Sequence, residues 1–130
     1  MRSRIIAGSL VVLGAVIATA HAAGDPALKW AIVNLKDTTV IAGAFVSGPV
    51  VFVHDDAKMA RGGPCTSVHQ FDEKKGIGEE IVAFHCKPRW TKAPARFTQA
   101  TTTRPDAPPV MIEYQFAGDE EAHGIPARAK

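Results

Sequence analysis

The residues of this chain whose types could carry chemistry are two cysteines, Cys65 and Cys86, and five histidines, His21, His54, His69, His85 and His123. Thiolate and imidazole are ligands for zinc and copper, and Cys65, His69, His85 and Cys86 fall within one short window. Strand geometry opposes that set. Residues four apart on a strand are separated by roughly 13 Å, so Cys65 and His69 do not reach one ion, and the neighbours His85 and Cys86 point to opposite faces. No zinc-ribbon spacing and no C-x-x-C-H haem attachment pattern is present. A second constellation pairs His54-Asp55-Asp56 with Asp119-Glu120-Glu121 and His123. Imidazole beside carboxylate can bind a divalent cation or act as a base with an orienting acid. The metal candidates are therefore His54, Asp56, His85 and His123. Each piece also has a plainer reading, with Asp55 and Asp56 capping a helix, His54 closing a strand, and Asp119 to Glu121 as a solvated run. Nothing in the spacing makes the two groups meet.

For the cysteines, a disulfide is the expectation. Cys65 to Asp72 and Glu79 to Lys87 read as two strands around the loop Glu73 to Gly78, which holds two lysines and two glycines. A register centred on that loop sets Phe71 opposite Glu80, His69 opposite Val82, Ser67 opposite Phe84 and Cys65 opposite Cys86. Opposed antiparallel residues have Cα atoms about 4.5–5.5 Å apart, which a disulfide accepts. Phe71, Val82 and Phe84 share the crosslinked face, and a slip of one residue would put the sulfurs on opposite faces.

Signatures of catalysis are missing. The sequence has no G-x-S-x-G, no Walker-type glycine loop and no H-E-x-x-H, so no catalytic residue and no cofactor are assigned. Ser47 and Ser67 read as structural serines, and a disulfide would remove both cysteines as nucleophiles. Trp30 and Tyr114 read as core aromatics. Trp90, set among Lys87, Arg89 and Lys92, is the candidate contact surface.

The elements that must position these groups are short strands. Lys29 to Leu35 and Thr38 to Val46 flank a turn at Lys36-Asp37, and Gly43 suits a bulge. Pro49 to His54 contains the unbroken apolar run Val50-Val51-Phe52-Val53, the pattern of a strand covered on both faces. Asp55 to Arg61 reads as one short helix with an acidic cap and Gly62-Gly63 at its end. Arg96 to Thr103 is threonine-rich and suits an edge. Val110 to Phe116 alternates, with Val110, Ile112, Tyr114 and Phe116 inward and Met111, Glu113 and Gln115 outward. Lys87 to Pro94 and Arg104 to Pro109 read as loops, and Gly118 to Lys130 as a frayed tail. About seven strands and one helix imply an all-β fold, an antiparallel β-sandwich or small barrel, in a single domain over residues 24–130.

The first 23 residues read as a secretion signal. Arg2 and Arg4 precede the apolar run Ile5 to Ala18, and Ala20-His21-Ala22 gives the small-x-small pattern, with cleavage expected after Ala22 or Ala23. The run is shorter than the roughly 20 residues of a spanning helix, so the mature chain is not expected to span a membrane. Of the 15 basic residues that set the net charge of +2 against 13 acidic ones, Arg2 and Arg4 leave with the signal. The mature chain is then formally neutral, which argues against a nucleic-acid partner. A secreted or periplasmic location also favours oxidation of the cysteines.

The phrases Phe52-Val53-His54-Asp55-Asp56-Ala57-Lys58-Met59-Ala60-Arg61-Gly62, Val82-Ala83-Phe84-His85-Cys86-Lys87-Pro88 and Gly118-Asp119-Glu120-Glu121-Ala122-His123-Gly124 resemble those of short secreted bacterial proteins of uncharacterised function. That resemblance implies secretion and a β-rich domain, and no functional residue is carried over. The sequence thus predicts a binding or structural module of the cell envelope, its partner an envelope protein or a small ligand. A copper- or zinc-binding protein is the second expectation and a small hydrolase the third.

Overall fold

The computed structural model describes residues 19–22 and 25–129. Of the expected signal, residues 1–18 and 23 lie outside the described residues. Among the described residues, nine strands form one sheet: β1 (Thr19–Ala22), β2 (Asp25–Ile41), β3 (Ala44–Asp55), β4 (Thr66–Asp72), β5 (Gly76–Phe84), β6 (Lys87–Trp90), β7 (Thr98–Arg104), β8 (Ala107–Gln115) and β9 (Glu121–Gly124). The only described helix, α1 (Asp56–Ala60), follows β3. The sheet order is β5-β4-β3-β2-β8-β9-β6, with β1 on β2 and β7 on β8. All pairings are antiparallel except that of β2 with β8, where Val40 faces Val110. The all-β class with a single short helix is as the sequence predicts. The strands belong to one open, mixed sheet, which stands where two packed sheets or a closed barrel were expected.

That sheet rolls over on itself. β4 and β8 are three places apart in the order, which in a flat sheet would separate them by about 14 Å. Yet the Thr66 and Tyr114 hydroxyls, one on each strand, are hydrogen-bonded at 2.5 Å. The enclosed core holds Phe52, Phe84, Phe97, Tyr114 and Phe116, with Val50 and Val68 between them. Burying each phenylalanine contributes about 1.5–3 kcal/mol.

The β2–β3 hairpin turns at Ala42-Gly43, where φ is 50° and 87°. Two successive left-handed residues match the twist of the strands they join. Lys36-Asp37, read as the turn, instead sits in an irregularity of the continuous strand β2, between Leu35 and Thr39. Ala31, Val33 and Leu35 take the core face of β2 and leave Trp30 half-buried on the other face. Trp30 lines a shallow apolar groove there with Ile32, Val51, Phe71 and Ile77. The run Val50 to Val53 is buried on both faces, as its unbroken apolarity predicts. Asp55 caps α1 by accepting the Lys58 N–H at 3.0 Å, again as read from the sequence.

Three further expectations are corrected. In the β4–β5 hairpin Thr66 faces Phe84 and Val68 faces Val82, one residue off the expected register, and further shifts between Val68 and Phe71 move the pairing again. Phe71 therefore joins the outer groove. On β8 the inward phase breaks at Ile112: Ala100 pairs with Glu113 but Thr101 with Met111, so one residue bulges. Met111 is consequently buried while Ile112 is 44% exposed. Lys87 to Trp90 and Glu121 to Gly124, read as loop and frayed tail, pair as strands. Ala122 and His123 are fully buried. Among the described residues no helix is long and apolar enough to cross a membrane.

Candidate metal centre

Four separate segments converge at one end of the rolled sheet. His54 is the penultimate residue of β3, and the turn of α1 returns the chain so that the Asp55 N–H donates to the Cys65 carbonyl at 2.9 Å. Cys65 thus stands beside the end of β3. Cys86 lies in the two-residue connection between β5 and β6, directly before the stretch that pairs with β9. His123 is on β9, opposite Pro88 of β6 and Tyr114 of β8.

Cys65 and Cys86 are joined by a disulfide, with Cα atoms 6.3 Å apart. Both lie just outside the β4–β5 ladder, so the one-residue slip does not separate them. Cys65 is 2% exposed and Cys86 partly exposed. The Cys86 backbone N–H donates to Cys65 Sγ at 3.0 Å. Cys86 Sγ is in turn 3.7 Å from His54 Nε2 and 3.6 Å from His123 Nδ1. The donor atoms of His54, Cys65 and Cys86 all lie within 4.8 Å of one another, and the two imidazole centroids are 4.4 Å apart.

The second ring nitrogens differ. His54 Nδ1 is 3.3 Å from Asp56 Oδ1, so the carboxylate favours the Nδ1–H tautomer and leaves the Nε2 lone pair facing the sulfur. His123 Nε2 is buried without a hydrogen-bond partner, 4.0 Å from Asp119 Oδ2. An orphaned polar atom in a site this enclosed is uncommon. The His123 ring stacks on Tyr114 with centroids 4.9 Å apart, which fixes its plane.

Burial disfavours the charged form of both imidazoles. The His54 pKa is lowered by desolvation, against the attraction of Asp56. Desolvation, then repulsion from His54, lowers that of His123 to about 4. Neutral imidazole is the ligand form. Asp119 is not part of a solvated run: it accepts a 2.6 Å hydrogen bond from Lys29 Nζ and one from the Glu121 N–H. Burial pushes its pKa up, but these bonds and the Lys29 charge together hold it below the usual carboxylate value.

The two constellations of the sequence therefore recombine. His54 and His123, which no spacing linked, meet each other and the disulfide. Asp56 backs His54 through its ring nitrogen. His85 is exposed and His69 is engaged elsewhere, with Nδ1 against the Gly78 carbonyl at 3.0 Å and Nε2 against Ser67 Oγ at 2.9 Å. A combined set of His54, His123 and both cysteines has no local signature, because its members come from four distant segments. Of the contact candidates, Lys87, Arg89 and Trp90 are on β6, an edge of the sheet, and Lys92 lies just beyond it. Trp90 is 72% exposed, and Arg89 is tied to Glu113 by two hydrogen bonds of 2.7 and 2.8 Å, which neutralises part of the basic patch.

Comparison with known protein families, curated proteins and solved structures finds no match to this chain.

Proposed function

We propose that this chain is a secreted or periplasmic β domain that, in its dithiol state, binds one thiophilic cation, zinc(II) or copper(I), through Cys65, Cys86, His54 and His123. The observation that carries the reading is the spacing of the imidazole nitrogens about Cys86 Sγ. A tetrahedral ion with bonds of about 2.3 Å to sulfur and about 2.05 Å to nitrogen requires S···N separations of about 3.6 Å. The two found are 3.6 and 3.7 Å. Opening of the disulfide would let the sulfurs part from about 2 Å to the roughly 3.8 Å of two ligands on one ion. Asp56 behind His54 supports the assignment, since ligating imidazoles ordinarily carry such an outer partner. The signal-like N-terminus supports the location.

The test is cobalt(II) substitution and copper(I) titration of untagged protein reduced and desalted without oxygen. The expected result is one ion per chain, thiolate-to-cobalt charge-transfer absorption, and loss of both in His54→Ala and His123→Ala, with circular dichroism reporting that the variants fold. A reduced, folded protein that takes up neither ion overturns the reading. It would leave a disulfide-stapled domain whose candidate contact surface is Trp90.

A further inference from the structure

The geometry points to a redox gate on this site: the disulfide excludes the metal, and a protein dithiol admits it by exchange directed at Cys86. The inference rests on the metal-binding reading and adds its regulation. One pair of sulfurs serves both the crosslink and the proposed ligand set, so each sulfur can commit its electron pair to the other or to an ion. Oxidation and occupancy are thereby alternatives.

The two sulfurs are not equivalent. Cys65 is fully enclosed, at 2% exposure, whereas Cys86 is partly exposed in the connection between β5 and β6. An incoming thiolate reaches Cys86 first. It forms a bond to Cys86 Sγ as the Cys65–Cys86 bond breaks, and the bonding pair leaves on Cys65. That sulfur already accepts the Cys86 N–H at 3.0 Å and lies 3.6 Å from the Thr66 hydroxyl, two donors that stabilise a thiolate. The second thiol of the partner, having lost its proton to water, attacks the partner's sulfur in the mixed disulfide and expels Cys86 as a thiolate. The partner dithiol ends as a disulfide, having supplied two electrons and released two protons. Both cysteines end as thiolates, with Cys86 already in contact with His54 and His123. A disulfide-bearing oxidant run through the same steps in reverse returns the crosslink and releases the ion.

The experiment uses the wild-type chain in both states. Oxidised protein is treated briefly with a limiting monothiol, quenched in acid, and the mixed disulfide is located by mass spectrometry. Separately, zinc is titrated into oxidised protein, into protein reduced with dithiothreitol and desalted, and into the latter after glutathione disulfide is added. The expected results are the monothiol on Cys86, one zinc per chain in the reduced form, none in the oxidised form, and release of the bound zinc with recovery of the crosslink. Monothiol found chiefly on Cys65, or equal zinc uptake by both forms, overturns the gate while leaving the metal site standing. No zinc or copper(I) uptake by the reduced form overturns the site itself and the gate with it.

Discussion

The hydrogen bond between Thr66 and Tyr114 links β4 to β8 across the rolled sheet, and its removal has a calculable effect. Both residues are fully buried, the oxygens are 2.5 Å apart, and Tyr114 has no other hydrogen-bond partner among the described side chains. Thr66→Val keeps the shape and strands the Tyr114 hydroxyl, at a cost of about 2 kcal/mol. With a urea slope of about 2 kcal/mol/M, the midpoint falls by about 1 M. Tyr114→Phe costs less, because the Thr66 hydroxyl keeps its 3.6 Å contact with Cys65 Sγ. In the double variant both polar groups are gone, so its loss falls short of the summed single losses by about 1–2 kcal/mol. Tryptophan fluorescence against urea, on oxidised metal-free protein, reads all four midpoints. A second readout comes from pH. Burial raises the pKa of Tyr114, against the opposing hydrogen bond from Thr66, so the unfolded chain loses this proton near pH 10 while the folded protein still holds it. The stabilisation is complete below about pH 10 and declines above it by up to about 1.4 kcal/mol per pH unit. Tyr114 is the only tyrosine, so Tyr114→Phe removes that component and leaves the lysine titrations in place. Additive single losses, or an alkaline decline identical in wild type and Tyr114→Phe, would refute the reasoning.

Reduction of the disulfide without metal should lower stability by about 3 kcal/mol for a loop closed across 21 residues, read as a drop in the urea midpoint with dithiothreitol. Gly78→Ala should cost about 1–3 kcal/mol, because a Cβ there would sit 2.8 Å from the Gln70 carbonyl oxygen, a backbone atom that cannot swing away. The same denaturation series checks it, and an unchanged midpoint would show that β4 and β5 can part at no cost. Trp90→Ser should leave the midpoint within about 0.5 kcal/mol of wild type, since the ring is 72% exposed on an edge strand.

Local chemistry made some elements legible. Asp55 before a five-residue helix, the threonines of β7 and the apolar run of β3 were each decided by neighbours in sequence. Elsewhere tertiary contacts overrode the local signal. The bulge at Ile112 inverts the face of β8 because β7 pairs on both sides of it, which alternation along β8 alone does not encode. Glu121 to Gly124 is polar at its start and short, so it lacks the pattern of a strand. It becomes one because β8 and β6 present free edges on either side of it.

That inserted strand explains why the candidate site escaped a reading by spacing. β9 carries a single histidine into a position flanked by Pro88 and Tyr114, and this insertion brings a second imidazole to Cys86 beside that of His54. Thiol–imidazole spacing rules work when one hairpin or helix supplies the donors. Here the ends of β3, the loop before β4, the exit of β5 and the middle of β9 each supply one. What the sequence does contain is the means of joining them: the Asp55 cap that turns the chain back to Cys65, and the Lys29 to Asp119 pair that fastens the entry of β9 to β2. Both contacts put polar groups to work holding ends of strands together. Their geometry fixes where His54 and His123 can stand, and neither contact would have been predicted to serve a site from its residue types alone.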